Sequence, residues 1–131
     1  MKDRIEALSP KVPLTAAPQS TVADVLSQMV EASIGCVMIV DGDELLGIFS
    51  EVDAIRKIGA DAAQMSGRAI SSVMTPNPIT LEAKDKIAFA LHKMHVGGYR
   101  HLPITTDGKL SGVISIRDIL SYLSQRIGVP A

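Results

Sequence analysis

Ser50 and Asp53 stand three residues apart, and so do Ser115 and Asp118. Where a strand gives way to a helix, a hydroxyl and a carboxylate at that spacing can do two kinds of work. One is structural. Serine at the N-cap accepts a hydrogen bond from a backbone amide of the first turn, and the acid three residues on reaches back to the cap amide. The other is recognition. The same helix start offers N–H groups and a partial positive charge to a phosphate, and a carboxylate facing a cleft accepts both hydroxyls of a ribose. Arg117, directly before Asp118, adds a guanidinium suited to a bidentate phosphate contact; Val52 holds that place before Asp53. A single copy leaves both readings open. Two copies in register favour a ligand cleft.

The elements that must position these residues are also written twice. Gly47-Ile48-Phe49-Ser50-Glu51-Val52-Asp53 recurs as Gly112-Val113-Ile114-Ser115-Ile116-Arg117-Asp118, 65 positions later and without a gap. The match runs back through Pro13 and Pro78, Thr15 and Thr80, Leu26 and Leu91, Met29 and Met94, Ile39 and Ile104, and Leu45 and Leu110. A repeat fixes architecture before any single residue does. At 131 residues the chain suits one compact pseudo-symmetric domain, whereas a half of about 60 residues is marginal alone. The halves are therefore expected to bury apolar area against each other.

Each repeat reads as strand, helix, strand, strand, helix. Residues 1–12 begin with a short helix, Asp3 to Leu8, stopped by Ser9-Pro10. Pro13-Leu14-Thr15 is extended, and Ser20 or Thr21 caps a helix whose apolar stripe is Val22, Val25, Leu26, Met29 and Val30. Gly35 closes that unit. Cys36 to Val40 and Leu45 to Phe49 form a hairpin through Asp41-Gly42-Asp43, and Ser50 opens a helix to Ile58, closed by Gly59. A small, polar linker follows, and Ile70 to Met74 matches Asp3–Leu8. Thr75-Pro76-Asn77-Pro78 forces extension into Ile79-Thr80-Leu81. Lys84-Asp85-Lys86 reads as a solvated first turn of a helix carrying Ile87, Ala90, Leu91 and Met94. A second hairpin turns at Thr106-Asp107-Gly108-Lys109. A last helix, Ile116 to Ile127, stops at Gly128 and Pro130.

Composition removes several functions. Thirteen basic and fourteen acidic residues with 3% aromatics give no nucleic-acid footprint. With 47% hydrophobic residues the core must be aliphatic. No apolar run reaches the roughly 20 residues of a membrane span, and Met1-Lys2-Asp3-Arg4-Ile5-Glu6 does not read as a signal peptide. Lone Cys36 has no disulfide partner, so a cytoplasmic protein is expected. His92 and His95 are three apart on a helix, but no further ligand completes a metal site. Gly97-Gly98 either ends the helix or admits a ligand to the backbone. No nucleophile–base pair, phosphate loop or metal cluster supports an enzyme.

The order of elements, the G-h-h-S-x-x-D motif in both halves, Val73-Met74-Thr75-Pro76-Asn77-Pro78 and Gly98-Tyr99-Arg100-His101-Leu102-Pro103 resemble a tandem pair of CBS (cystathionine β-synthase) domains, a Bateman module. The resemblance covers residues 10–125 and implies an α/β (α+β) fold of two β-α-β-β-α repeats packed through their sheets. The first repeat would span 10–59, the linker 60–72 and the second repeat 73–127. It implies a regulatory, non-catalytic module, with no required cofactor, that binds an adenosine nucleotide of the AMP, ADP or ATP class between repeats. It also implies a homodimeric four-repeat disc that signals to an effector protein. Asp53 and Asp118 would bind ribose, Ser50 and Ser115 would face phosphate, and Leu14-Thr15 and Ile79-Thr80 would border adenine. Tyr99, Arg100 and His101 would flank the second site. With Arg117 on one side only, the second-repeat site should be the stronger. The alternative is a ligand-free dimerisation or docking module, in which the two Ser–Asp pairs only cap helices.

Overall fold

The computed structural model describes residues 3–128; the expected stop at Pro130, like Met1 and Lys2, lies outside the described residues. The apolar runs of the first repeat become β1 (Thr15–Ala16), α1 (Val22–Ala32), β2 (Cys36–Asp41) and β3 (Glu44–Ser50). The turn α2 (Glu51–Asp53), the short helix α3 (Ala62–Met65) and β4 (Thr75–Pro76) follow. The second repeat gives β5 (Leu81–Glu82), α4 (Ile87–Gly97), β6 (His101–Thr106), β7 (Lys109–Ser115) and α5 (Ile116–Arg126). The fold is mixed α/β with two small sheets. In each, a parallel strand joins an antiparallel hairpin: β1 to β2–β3, and β5 to β6–β7. Both hairpins carry the same irregularity, between Ile39 and Val40 and between Ile104 and Thr105. Their two-residue loops use left-handed backbone, at Gly42 (φ 60°) in one and at Asp107 and Gly108 (φ 52° and 81°) in the other, which matches the strand twist.

The chain divides into two compact units, and each takes in a segment from outside its own motif region. One unit is Pro13–Pro78; the other joins the described residues up to Val12 to those from Ile79 onward. Backbone hydrogen bonds explain the division. In the first unit the Val22 amide donates to the Arg68 carbonyl at 2.9 Å and the Ile70 amide to the Ser20 carbonyl at 2.7 Å. The whole stretch read as linker, 60–72, therefore lies within this unit, and β4 completes its sheet beside β3. In the second unit the Ile5 amide donates to the Asp85 carbonyl at 2.8 Å, and the Ile87 amide to the Asp3 carbonyl at 2.9 Å. Lys11 bridges Val113 on β7, the edge that β4 covers in the other unit. Ile5 and Ile70 sit on short 3-10 turns, Ile5–Leu8 and Ile70–Ser72, and each is fully buried. Both cores are aliphatic around these residues, with Phe49 added in the first unit.

Local differences from expectation have physical causes. Asp3–Leu8 is not an α-helix but the 3-10 turn Ile5–Leu8, ended by left-handed Ser9. Thr21 caps α1 by accepting from the Asp24 amide at 3.1 Å, and left-handed Ser33 closes it before Gly35. Val30 is 79% exposed, because eight residues carry it about 80° around the helix from Val22. After α2 the chain widens into a π-helix, Ala54–Ile58, which places buried Asp53 and Ile58 on one face five residues apart. Lys84-Asp85-Lys86 precedes α4 instead of forming its first turn, and Lys86 is the N-cap. Gly98 (φ 70°) closes α4.

Candidate functional site

Both serines and both acids occupy equivalent places. Ser50 and Ser115 end β3 and β7 and cap the helices that follow. In each unit the first helical amide ties the cap to the start of the neighbouring strand: Glu51 N–H donates to the Gly35 carbonyl at 3.0 Å, and Ile116 N–H to the Arg100 carbonyl at 2.9 Å. Cys36 and His101 pair across their hairpins with Ser50 and Ser115. Both capping boxes are complete.

The two acids differ in what else they hold. Asp53 is 7% exposed. Its Oδ2 accepts from the Ser50 amide at 3.0 Å and the Ser50 hydroxyl at 3.2 Å. Its Oδ1 accepts from the Thr75 hydroxyl at 2.9 Å and pairs with the Lys57 ammonium at 3.1 Å. Lys57 is itself bonded to the Met74 carbonyl at 3.1 Å. An ionised carboxylate has about four acceptor sites, so Asp53 is saturated by its own unit. Asp118 is not. Its Oδ2 accepts from the Ser115 amide at 2.8 Å, and among the described residues Oδ1 has only the Lys11 ammonium, 3.7 Å away. Tyr122 takes the place that Lys57 has in the first unit, but its hydroxyl donates to Asp3 instead.

The surroundings differ in charge as well. Near Asp118 in the fold come Arg117, exposed on the first turn of α5, Arg100, whose carbonyl accepts from the first amide of α5, and His101, which opens β6. The matching positions around Asp53 are Val52, Gly35 and Cys36. Glu51 replaces Ile116 there, with its carboxylate lying over Gly35. Burial, and then the Glu51 charge, push the Cys36 thiol up to about 11, so it stays protonated. The first helix start is thus bordered by an acid and the second by two arginines.

The remaining predicted residues fall into two groups. Ile79 and Thr80 lead into β5, which runs parallel to β6, so they sit at the end of the sheet where His101 lies. Tyr99 packs against that unit's core with its ring against Gly97. Leu14 and Thr15 hold the corresponding place at β1, where the Leu14 carbonyl accepts from the Met38 amide at 2.8 Å. Sequence reading missed Lys57, Thr75, Glu51 and Lys11. Lys57, one turn after Asp53, and Glu51, opposite Ile116 in the repeat, were visible signals. Thr75 and Lys11 reach the acids only through the strand pairing of segments distant in sequence. Among the described residues no group of three or more His, Cys, Asp or Glu could hold a metal ion, and no helix is long and apolar enough to cross a membrane.

The family model for the CBS domain matches residues 5–60 and again 70–125. The chain is 34% identical over 107 residues to the CBS domain-containing protein CBSCBSPB1 of Arabidopsis thaliana, covering 82% of this chain and 19% of that protein. It spans less than two thirds of the length of the curated relatives it matches first. Protein PAE2072 of Pyrobaculum aerophilum, a CBS domain protein solved with AMP, superposes with a TM-score of 0.79 at 24% identity, covering 94% of this chain and 99% of the other. The CBS domain pair of protein MJ0100, solved with 5′-methylthioadenosine and S-adenosyl-L-methionine, gives a TM-score of 0.81 at 21% identity, covering 96% and 99%.

Proposed function

Because this chain belongs to the CBS-domain family and carries two of its domains in tandem, we propose that it is a regulatory module that binds one adenosine-containing ligand per chain. The carrying observation is the contrast between the two motif acids. Asp118 keeps acceptor capacity for a ribose diol beside Arg117 and Arg100, whereas Asp53 is filled by Ser50, Thr75 and Lys57. Two solved relatives hold AMP or S-adenosyl-L-methionine with 5′-methylthioadenosine, which supports this ligand class. Ser115 and Arg117 would meet the phosphate, and Ile79, Thr80, Tyr99 and His101 would border the base and sugar. A charge-assisted hydrogen bond is worth roughly 1.5–3 kcal/mol, enough to make the Arg117 side stronger by about 10- to 100-fold. Nothing in this mechanism is catalytic: ligand contacts shift a conformational equilibrium, which a cytoplasmic homodimer passes to an effector protein.

The second reading is a docking module without a ligand, and the two complete capping boxes favour it because they give both serines structural work. Calorimetric titration with AMP, ATP, S-adenosylmethionine and NAD separates the two. At about 0.3 kcal/mol per heavy atom, a ligand of roughly 23 such atoms binds with a Kd on the order of 10 μM. One micromolar site per chain is expected. Two equal sites would overturn the asymmetry, and silence across the panel would leave the docking module.

A further inference from the structure

We propose that Lys11 makes the Asp118 site selective for phosphorylated ligands, an inference that rests on reading Asp118 as the ligand's carboxylate. Lys11 lies at the start of what the sequence reads as the first repeat, yet it belongs to the second unit and its backbone is fastened to β7 in both directions. Its amide donates to the Val113 carbonyl at 3.1 Å, and its carbonyl accepts from the Val113 amide at 3.0 Å. This anchors the stem two residues before the Ser115 cap and brings the ammonium to 3.7 Å from Asp118 Oδ1. The Lys11 side chain is 77% exposed and makes no hydrogen bond to the described residues. With the lysine largely exposed and 3.7 Å from a carboxylate that is 21% exposed, the pair adds little to folding.

The geometry gives the ammonium two uses. Without ligand it screens Oδ1, the acceptor a ribose diol needs. A nucleoside without phosphate must displace it from that oxygen and offers no anion in return. A phosphorylated one lets the flexible four-carbon stem carry the charge from the carboxylate to the phosphate. The first unit lacks this device. There the strand beside β3 brings a neutral hydroxyl, Thr75, to the acid, and Lys57 is held by both Asp53 and the Met74 carbonyl.

The test is calorimetric titration of the full chain with AMP and with adenosine, in wild type, Lys11→Met and Lys11→Arg. Wild type should prefer AMP by at least about tenfold. Lys11→Met should weaken AMP about tenfold while leaving adenosine unchanged or tighter, and Lys11→Arg should keep the preference. Equal loss of both ligands, or unchanged AMP binding in Lys11→Met, overturns the proposal. So does a wild type that binds AMP and adenosine equally, although the adenosine site itself would then stand. A wild type that binds neither sinks the Lys11 proposal, and silence toward ATP, S-adenosylmethionine and NAD as well sinks the reading it rests on.

Discussion

Asp53 and Asp118 share a motif but are built for different loads, and mutation should separate them. Asp53 is a buried carboxylate held by half-buried Ser50 and by Thr75 and Lys57 at the surface. Its truncation removes the capping carboxylate and the acceptor of the Thr75 hydroxyl, while Lys57 keeps the Met74 carbonyl, so Asp53→Ala should cost about 2 kcal/mol in urea denaturation and leave ligand affinity nearly intact. Asp118→Ala should cost only about 1 kcal/mol, the worth of a helix cap. In exchange it should abolish the stabilisation that AMP gives wild type, which is about 2.7 kcal/mol at a hundredfold excess over Kd. Equal stability losses with retained binding would refute the division of labour. Cys36 supplies a pH prediction of definite sign. Its thiol is raised from an ordinary 9.0 to about 11 in the folded protein. Between those values the unfolded chain releases the proton first, so its contribution is full below pH 9 and declines toward pH 11. Denaturation at pH 8, 9 and 10 should show wild type losing stability faster than Cys36→Ala, and the native thiol should resist alkylation at pH 8.

At the scale of elements, the glycine that opens each motif is explained by the strand lying beside it. A Cβ on Gly112 would come within 2.7 Å of Pro10 Cβ, and one on Gly47 within 2.9 Å of the Thr75 carbonyl oxygen. Both positions need a bare backbone for another segment to cross the edge of β7 or β3. Gly47→Ala meets main chain that cannot swing aside and should cost about 1–3 kcal/mol. Gly112→Ala pushes on the segment carrying Lys11, so it should speed hydrogen exchange at the Lys11 and Val113 amides and weaken AMP binding. Unchanged exchange at both amides would count against that packing. The sequence made the hairpins, α1, α4 and α5 readable because period and turn residues are local signals. It did not make the π-helix after Asp53 readable, since Ser50 to Ile58 carries an ordinary helical pattern. Nor did it show which strand edge Thr75-Pro76 or Pro10-Lys11 would cover, because edge pairing is decided by tertiary packing. The candidate site was legible to the same extent: Ser115, Arg117 and Asp118 stood out from the repeat, while Lys11 needed the fold.

For the whole molecule, the consequence is that the chain's compact units do not coincide with its repeated sequence. The residues up to Val12 lead into the first repeat in sequence, but they give the second unit its buried Ile5, its edge pairing at Val113 and the Asp3 partner of Tyr122 and Arg126. Ile70 does the equivalent work in the first unit. A core isoleucine is worth about 2–5 kcal/mol on truncation to alanine, a large share of what a small domain has. Deleting residues 1–12 should therefore loosen the unit farther away in sequence. Amides from Ile79 onward should lose protection from hydrogen exchange, those of Pro13–Pro78 should keep theirs, and AMP binding should disappear with Lys11 and the ordered start of α5. Ile5→Ala should reproduce the loss in milder form, and Ile70→Ala should move it to Pro13–Pro78. If deletion instead exposed the first repeat and spared the second, the exchange of segments between units would be wrong. The argument that Lys11 sets selectivity would fall with it.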